Sequence, residues 1–83
     1  MLIRTQDRET LVNLSSLTMI GYNSRDKSID GLFNNGEQCI LGTYKSKKRC
    51  KEVLDMVQDS YGIYLCDGIV MNDWHYVFEM PEE

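Results

Sequence analysis

Three kinds of segment are missing from this chain of 83 residues, and each absence removes a class of protein. No run of eighteen apolar residues occurs, so no membrane-spanning helix is expected. The opening Met1-Leu2-Ile3-Arg4-Thr5-Gln6-Asp7-Arg8 lacks the apolar core of a secretory signal, which makes a cytoplasmic location the expectation. The glycine-rich phosphate loop GxxxxGK[ST] is absent as well. Its nearest approach is Leu41-Gly42-Thr43-Tyr44, which leads into a basic helix start of the kind that attracts anions.

Cysteine and histidine are also scarce. Cys39, Cys50 and Cys66 form an odd, widely spaced set without a CxxC pair, as expected of reduced thiols in apolar positions. A Cys39–Cys66 or Cys50–Cys66 bridge is the disulfide alternative. A zinc site would have to combine the three thiols with His75, at spacings unlike a compact ligand pair. Cys50 beside Lys47, Lys48 and Lys51 would be a low-pKa thiol if exposed, but it falls on an apolar stripe. His75, the single histidine, stands next to Asp73 on the polar phase of a strand, a position that suits the surface better than the base of a nucleophilic triad. Asp55 and Asp59, one helical turn apart, read as a solvated face rather than paired catalytic carboxylates. The expectation is a protein that is not an enzyme and carries no metal or cofactor.

What is present suffices for one small domain spanning residues 1–83. Hydrophobic residues make up 42% of the chain and include Trp74, Phe33, Phe78 and five tyrosines. At this length about 60% of the unfolded surface is buried, enough for a single core. Residues 2–3 read as a short strand. Residues 11–22 are extended, with Leu17 and Met19 facing one way, Thr18, Ile20 and Tyr22 the other, and a bend at Asn13, Ser15 and Ser16. Asn23-Ser24-Arg25-Asp26 is a turn, and residues 28–33 form the next strand. Asn34-Asn35-Gly36 closes a hairpin, because Asn and Gly tolerate positive φ. Residues 37–44 return with Cys39 and Leu41 on one face and Gln38 and Ile40 on the other.

The period then changes from strand to helix. Cys50, Val53, Leu54, Val57 and Tyr61 fall on one stripe, opposite Lys51, Glu52, Asp55, Gln58 and Asp59. Ser46 is the expected N-cap and Gly62 the expected stop. Residues 63–66 and 69–71 then flank Asp67-Gly68 as a second hairpin. The last strand, residues 74–80, sets Trp74, Tyr76, Phe78 and Met80 against His75, Val77 and Glu79, and Pro81 ends the structure. The fold class is α+β: an antiparallel meander of four to six strands with one amphipathic helix packed on one face.

Charge singles out a candidate contact. The formal net charge is -4, which disfavours direct, nonspecific nucleic-acid binding. Yet Lys45, Lys47, Lys48, Arg49 and Lys51, five of the nine basic residues, crowd the helix start in a segment, residues 45–51, that holds no acidic residue. Each cation in a first helical turn opposes the backbone dipole by about 0.3–1 kcal/mol. Glu52 paired with Lys48, and Asp55 with Lys51, would offset part of that. A solvated helix start kept for solubility is the plain reading. The functional reading is a protein contact at Tyr44, Lys45, Lys47, Lys48, Arg49 and Lys51, with Asp67, Asp73, Glu79, Glu82 and Glu83 forming a separate acidic patch. The alternatives are a nucleic-acid- or nucleotide-binding accessory protein that stacks a base on Tyr44, and a homo-oligomeric structural protein, in which a homodimer would form.

Several stretches carry a resemblance. Leu2-Ile3-Arg4-Thr5-Gln6-Asp7, Leu11-Val12-Asn13-Leu14, and Ile40-Leu41-Gly42-Thr43-Tyr44 leading to Lys51-Glu52-Val53-Leu54-Asp55-Met56 resemble small phage and prophage proteins of Gram-positive bacteria. Those begin with an IRSQD-like strand and carry LG-x-Y before a helix with EVLDxIQ. This chain has Thr5 for the usual Ser and Lys51 where a small residue is common. The similarity spans residues 2–58. It implies an accessory protein of the anti-CRISPR or other anti-defence kind, an inhibitor that occludes a host protein such as a nucleic-acid-handling defence effector. No catalytic or binding residue carries over from it.

Overall fold

Short strands bounded by polar turns, followed by one helical stripe, build two small sheets and a helix. The computed structural model describes residues 1–67 and 76–83, and the side chains of all these except 63–67. In chain order the elements are β1 (Leu2–Arg4), β2 (Leu11–Asn13), a 3-10 turn (Leu14–Ser16), β3 (Leu17–Asn23), β4 (Ser28–Phe33), β5 (Gln38–Thr43), α1 (Lys47–Asp67) and β6 (Val77–Glu79). The fold is α+β, with six strands and one amphipathic helix among the described residues. The strands divide between two sheets, ordered β2-β1-β6 and β3-β4-β5.

The meander β3-β4-β5 is antiparallel and closes where expected. The β4–β5 hairpin turns through Gly36 at φ 92°, a backbone that glycine adopts without a Cβ clash. Phe33 N–H donates to the Glu37 carbonyl at 2.7 Å across it. At the 11–22 stretch the expected bend is the 3-10 turn, capped by the Asn13 side chain accepting from Ser15 N–H. A bulge between Leu17 and Met19 then shifts the strand phase. Leu17, Ile20 and Tyr22 therefore all pack toward the core while Met19 is 59% exposed, so Leu17 and Met19 do not share a face as simple alternation predicts. Cys39 and Leu41 do share the inner face of β5, and Ile40 faces out.

In the second sheet β1 pairs antiparallel with β2 and parallel with β6. Phe78 and Met80 are buried and Val77 and Glu79 exposed, as the alternation of this strand predicts. Ile3, Val12, Phe78 and Met80 from this sheet join Ile29 and Leu41 from the meander and Cys50, Val53 and Val57 from α1 in one apolar cluster. α1 packs on β3 and β4, which buries Cys50, Val53 and Val57 of its stripe and half-buries Leu54, while Tyr61 at the far end is exposed.

The helix corrects one expectation. It does not stop at Gly62 but runs to Asp67, so residues 63–66 are helical rather than a strand. Glycine in a helix interior costs about 1 kcal/mol relative to alanine, which weakens a helix without ending it. The expected Asp67-Gly68 turn and the strand at 69–71 lie, from Gly68 onward, outside the described residues, as do Asp73, Trp74 and His75.

Candidate protein-contact site

The basic segment begins where β5 leaves its sheet. Tyr44 N–H still donates to the Lys27 carbonyl at 2.9 Å, and Ser46 then caps the helix by accepting from Arg49 N–H at 3.1 Å. Lys45, Lys47, Lys48 and Lys51 are exposed. No ion pair reaches any of them among the described residues. The expected Lys48–Glu52 and Lys51–Asp55 pairs are not formed; Glu52 pairs instead with Arg49 at 3.2 Å. The first turn carries no acidic residue. Four ammonium groups without an ion pair among the described residues thus stand at or near a helix end whose dipole opposes those of the first turn.

Two of the six candidate residues are committed elsewhere. Tyr44 is only 4% exposed, so it cannot offer its ring to a base. Its side chain lies so close over Gly42 that a Cβ there would meet the phenol oxygen at 2.7 Å. Its hydroxyl donates to the Pro81 carbonyl at 2.8 Å, and burial pushes the phenol up to about 12. Arg49 is half-buried and donates from Nε to the Glu83 main-chain oxygen at 2.9 Å. The available contact reduces to the four lysines.

Of the expected acidic patch, Glu82 and Glu83 are not separate from the lysines. Glu82 and Glu83 line the same cleft, about 650 Å³ in volume, as Lys45, Lys48, Arg49 and Glu52. Glu79 projects from β6 and lies 3.8 Å from Arg8, as does Glu82 from the other guanidinium nitrogen. The side chain of Asp67 and all of Asp73 lie outside the described residues.

Gln6 holds this region together. Its main-chain N–H donates to the Leu41 carbonyl at 2.9 Å. Its side-chain amide accepts from Thr43 N–H at 2.7 Å and donates to the Thr43 and Glu82 carbonyls at 2.8 Å each. One side chain therefore extends the β5 edge and ties both sheets to the segment after β6. The two motifs Leu2-Ile3-Arg4-Thr5-Gln6-Asp7 and Leu41-Gly42-Thr43-Tyr44 meet here, as a structural clasp. Thr5 contributes through its hydroxyl, which donates to Asp7 at 2.6 Å and holds that carboxyl below its usual range. The sequence signal for Gln6 is weak: a lone glutamine in a polar loop has no spacing that marks its reach to residue 43.

Cys39 and Cys50 are packing residues. Cys50 is fully buried, its thiol donates to the Lys27 carbonyl at 3.4 Å, and burial raises its pKa. Burial raises that of Cys39 too, with a smaller contribution from the Asp30 carboxylate. Both are unbridged, and the side chain of Cys66 lies outside the described residues. Among the described residues no group of three or more His, Cys, Asp or Glu is placed to hold a metal ion, and no helix is long and apolar enough to cross a membrane. A second, apolar hollow of about 520 Å³ lies between β3 and α1, lined by Leu17, Ile20, Leu54, Val57 and Tyr61 among others.

No protein-family model, no curated protein and no solved structure matches this chain.

Proposed function

We propose that this protein is a non-catalytic binding module that docks stoichiometrically on a protein partner through Lys45, Lys47, Lys48 and Lys51. The observation that carries the reading is the four exposed ammonium groups without an ion pair among the described residues, on a helix start that they destabilise, in a chain of net charge -4. The site sits at the junction of β5 and α1, where the side chains of Gln6 and Ser46 accept from the Thr43 and Arg49 N–H groups. The resemblance to phage proteins directs the search for the partner to cytoplasmic bacterial defence effectors, nucleases first, with inhibition by occlusion as the mechanism.

The nucleic-acid alternative loses its stacking platform with Tyr44 buried. The test is capture of a partner from the host by the wild-type protein and by the K45E/K47E/K48E variant. Loss of capture on charge reversal supports the reading. A protein that the variant captures equally well places the contact elsewhere. Capture that vanishes on nuclease treatment makes nucleic acid the ligand.

A further inference from the structure

Residues 81–83 follow β6 without joining a sheet, yet they are held at three successive main-chain oxygens. Pro81 is bound by the Tyr44 hydroxyl, Glu82 by the Gln6 side-chain amide and Glu83 by Arg49 Nε, at 2.8, 2.8 and 2.9 Å. The three donors come from three places in the chain, the loop after β1, the β5–α1 junction and the first turn of α1. Together they form a cradle that reads backbone oxygens rather than side chains. Around it stand Lys45 and Lys48, and the occupant reads Pro-Glu-Glu.

We propose that residues 81–83 are an autoinhibitory strap: an acidic extended segment held in cis on a peptide cradle that takes an acidic extended segment of a protein partner in its place. The inference rests on the lysine-bearing helix start being a protein contact, and it assigns the chemistry of that contact. Main-chain oxygens of the incoming segment accept from Gln6, Tyr44 and Arg49, and its carboxylates meet the lysines. The strap is displaceable because its hold is made of side-chain bonds, two of them solvent-exposed. Its carboxylates add little: Glu82 approaches Arg8 no closer than 3.8 Å, beyond hydrogen-bond range. Glu82 and Glu83 nevertheless screen the lysines and repel a second acidic segment, which makes the strap a gate on affinity.

The test uses the full 83-residue chain, labelled with ¹⁵N, and a glutamate-rich octapeptide at low salt. The Gln6 side-chain amide and Arg49 Nε–H resonances report the cradle, and the Glu82 and Glu83 amides report the strap. Peptide is expected to shift the first pair and to move the second pair to free-peptide positions. E82Q/E83Q, which keeps every main-chain contact, is expected to bind the peptide roughly three- to tenfold more tightly, with the gain shrinking as salt rises. Shifts confined to the lysines, with the strap unmoved, overturn the strap and leave the protein contact standing. No peptide binding by either protein also overturns the strap, while partner capture from the host decides the contact separately. Binding of a single-stranded oligonucleotide in preference to the peptide overturns both.

Discussion

At the scale of single residues, Tyr44 shows how one side chain is removed from a candidate site by its packing. The ring is buried over Gly42, and the hydroxyl finds a partner in the Pro81 carbonyl, as a buried phenol must. Burial favours the neutral form, raising the phenol from 10.0 to about 12. The stability that this contributes is complete below pH 10 and is lost as pH rises toward 12. The unfolding free energy of the wild type, measured in urea, should therefore fall between those pH values more steeply than that of Y44F, by about 1–2 kcal/mol over the interval. At neutral pH, Y44F should be about 1 kcal/mol less stable through the lost hydrogen bond. Parallel alkaline limbs for the two proteins would show that Tyr44 is not buried as described. Asp7 acts with the opposite sign: its lowered pKa gives stability that is present above the ordinary carboxylate range and lost as pH falls through its folded pKa.

At the scale of elements, α1 begins against its own dipole and continues through a glycine. The start was legible in the sequence, because the stripe Cys50, Val53, Leu54, Val57 has a period that only a helix satisfies and Ser46 has the side chain to cap it. The end was not. Gly62 is a stop signal in isolation, and Ile63-Tyr64-Leu65-Cys66 is an apolar run too short for periodicity to separate strand from helix. Propagation from an established helix decides the matter, since each added residue gains a hydrogen bond without a new nucleation cost. Gly62 is exposed, and among the described residues nothing lies within 4 Å of a Cβ placed there. G62A should accordingly stabilise the protein by about 0.5–1 kcal/mol in urea unfolding. Destabilisation would mean that the glycine is not helical. The β3 bulge is a second feature that alternation alone cannot reveal. Inserting one residue turns Met19 outward while Leu17 and Ile20 both stay against the core.

At the scale of the whole molecule, two sheets and a helix share one apolar cluster, and polar bonds through Gln6 fasten one corner of it. The α+β class, the hairpin at Gly36 and the buried faces of β5 and β6 followed from short-range pattern. The division into two sheets did not, because pairing β1 with β6 in parallel joins residues more than seventy positions apart. The candidate site was half legible for the same reason. The lysines all fall within residues 45–51 of the sequence, whereas the nearness of Lys45 and Lys48 to Glu82 and Glu83 exists only after folding. Q6A removes three side-chain hydrogen bonds between distant segments and should cost about 2–3 kcal/mol in thermal or urea unfolding. A change under about 0.5 kcal/mol would mean that solvent replaces the clasp without loss.

The central claim is that the lysines at the head of α1 dock on a protein. Its most direct measurement is affinity capture from the native host with nuclease-treated lysate, comparing wild type with K45E/K47E/K48E and identifying the bound protein by mass spectrometry. One stoichiometric partner is expected on the wild type, retained after nuclease and lost, together with any inhibition of that partner, on charge reversal. Equal capture by the variant, or capture that depends on nucleic acid, would contradict it.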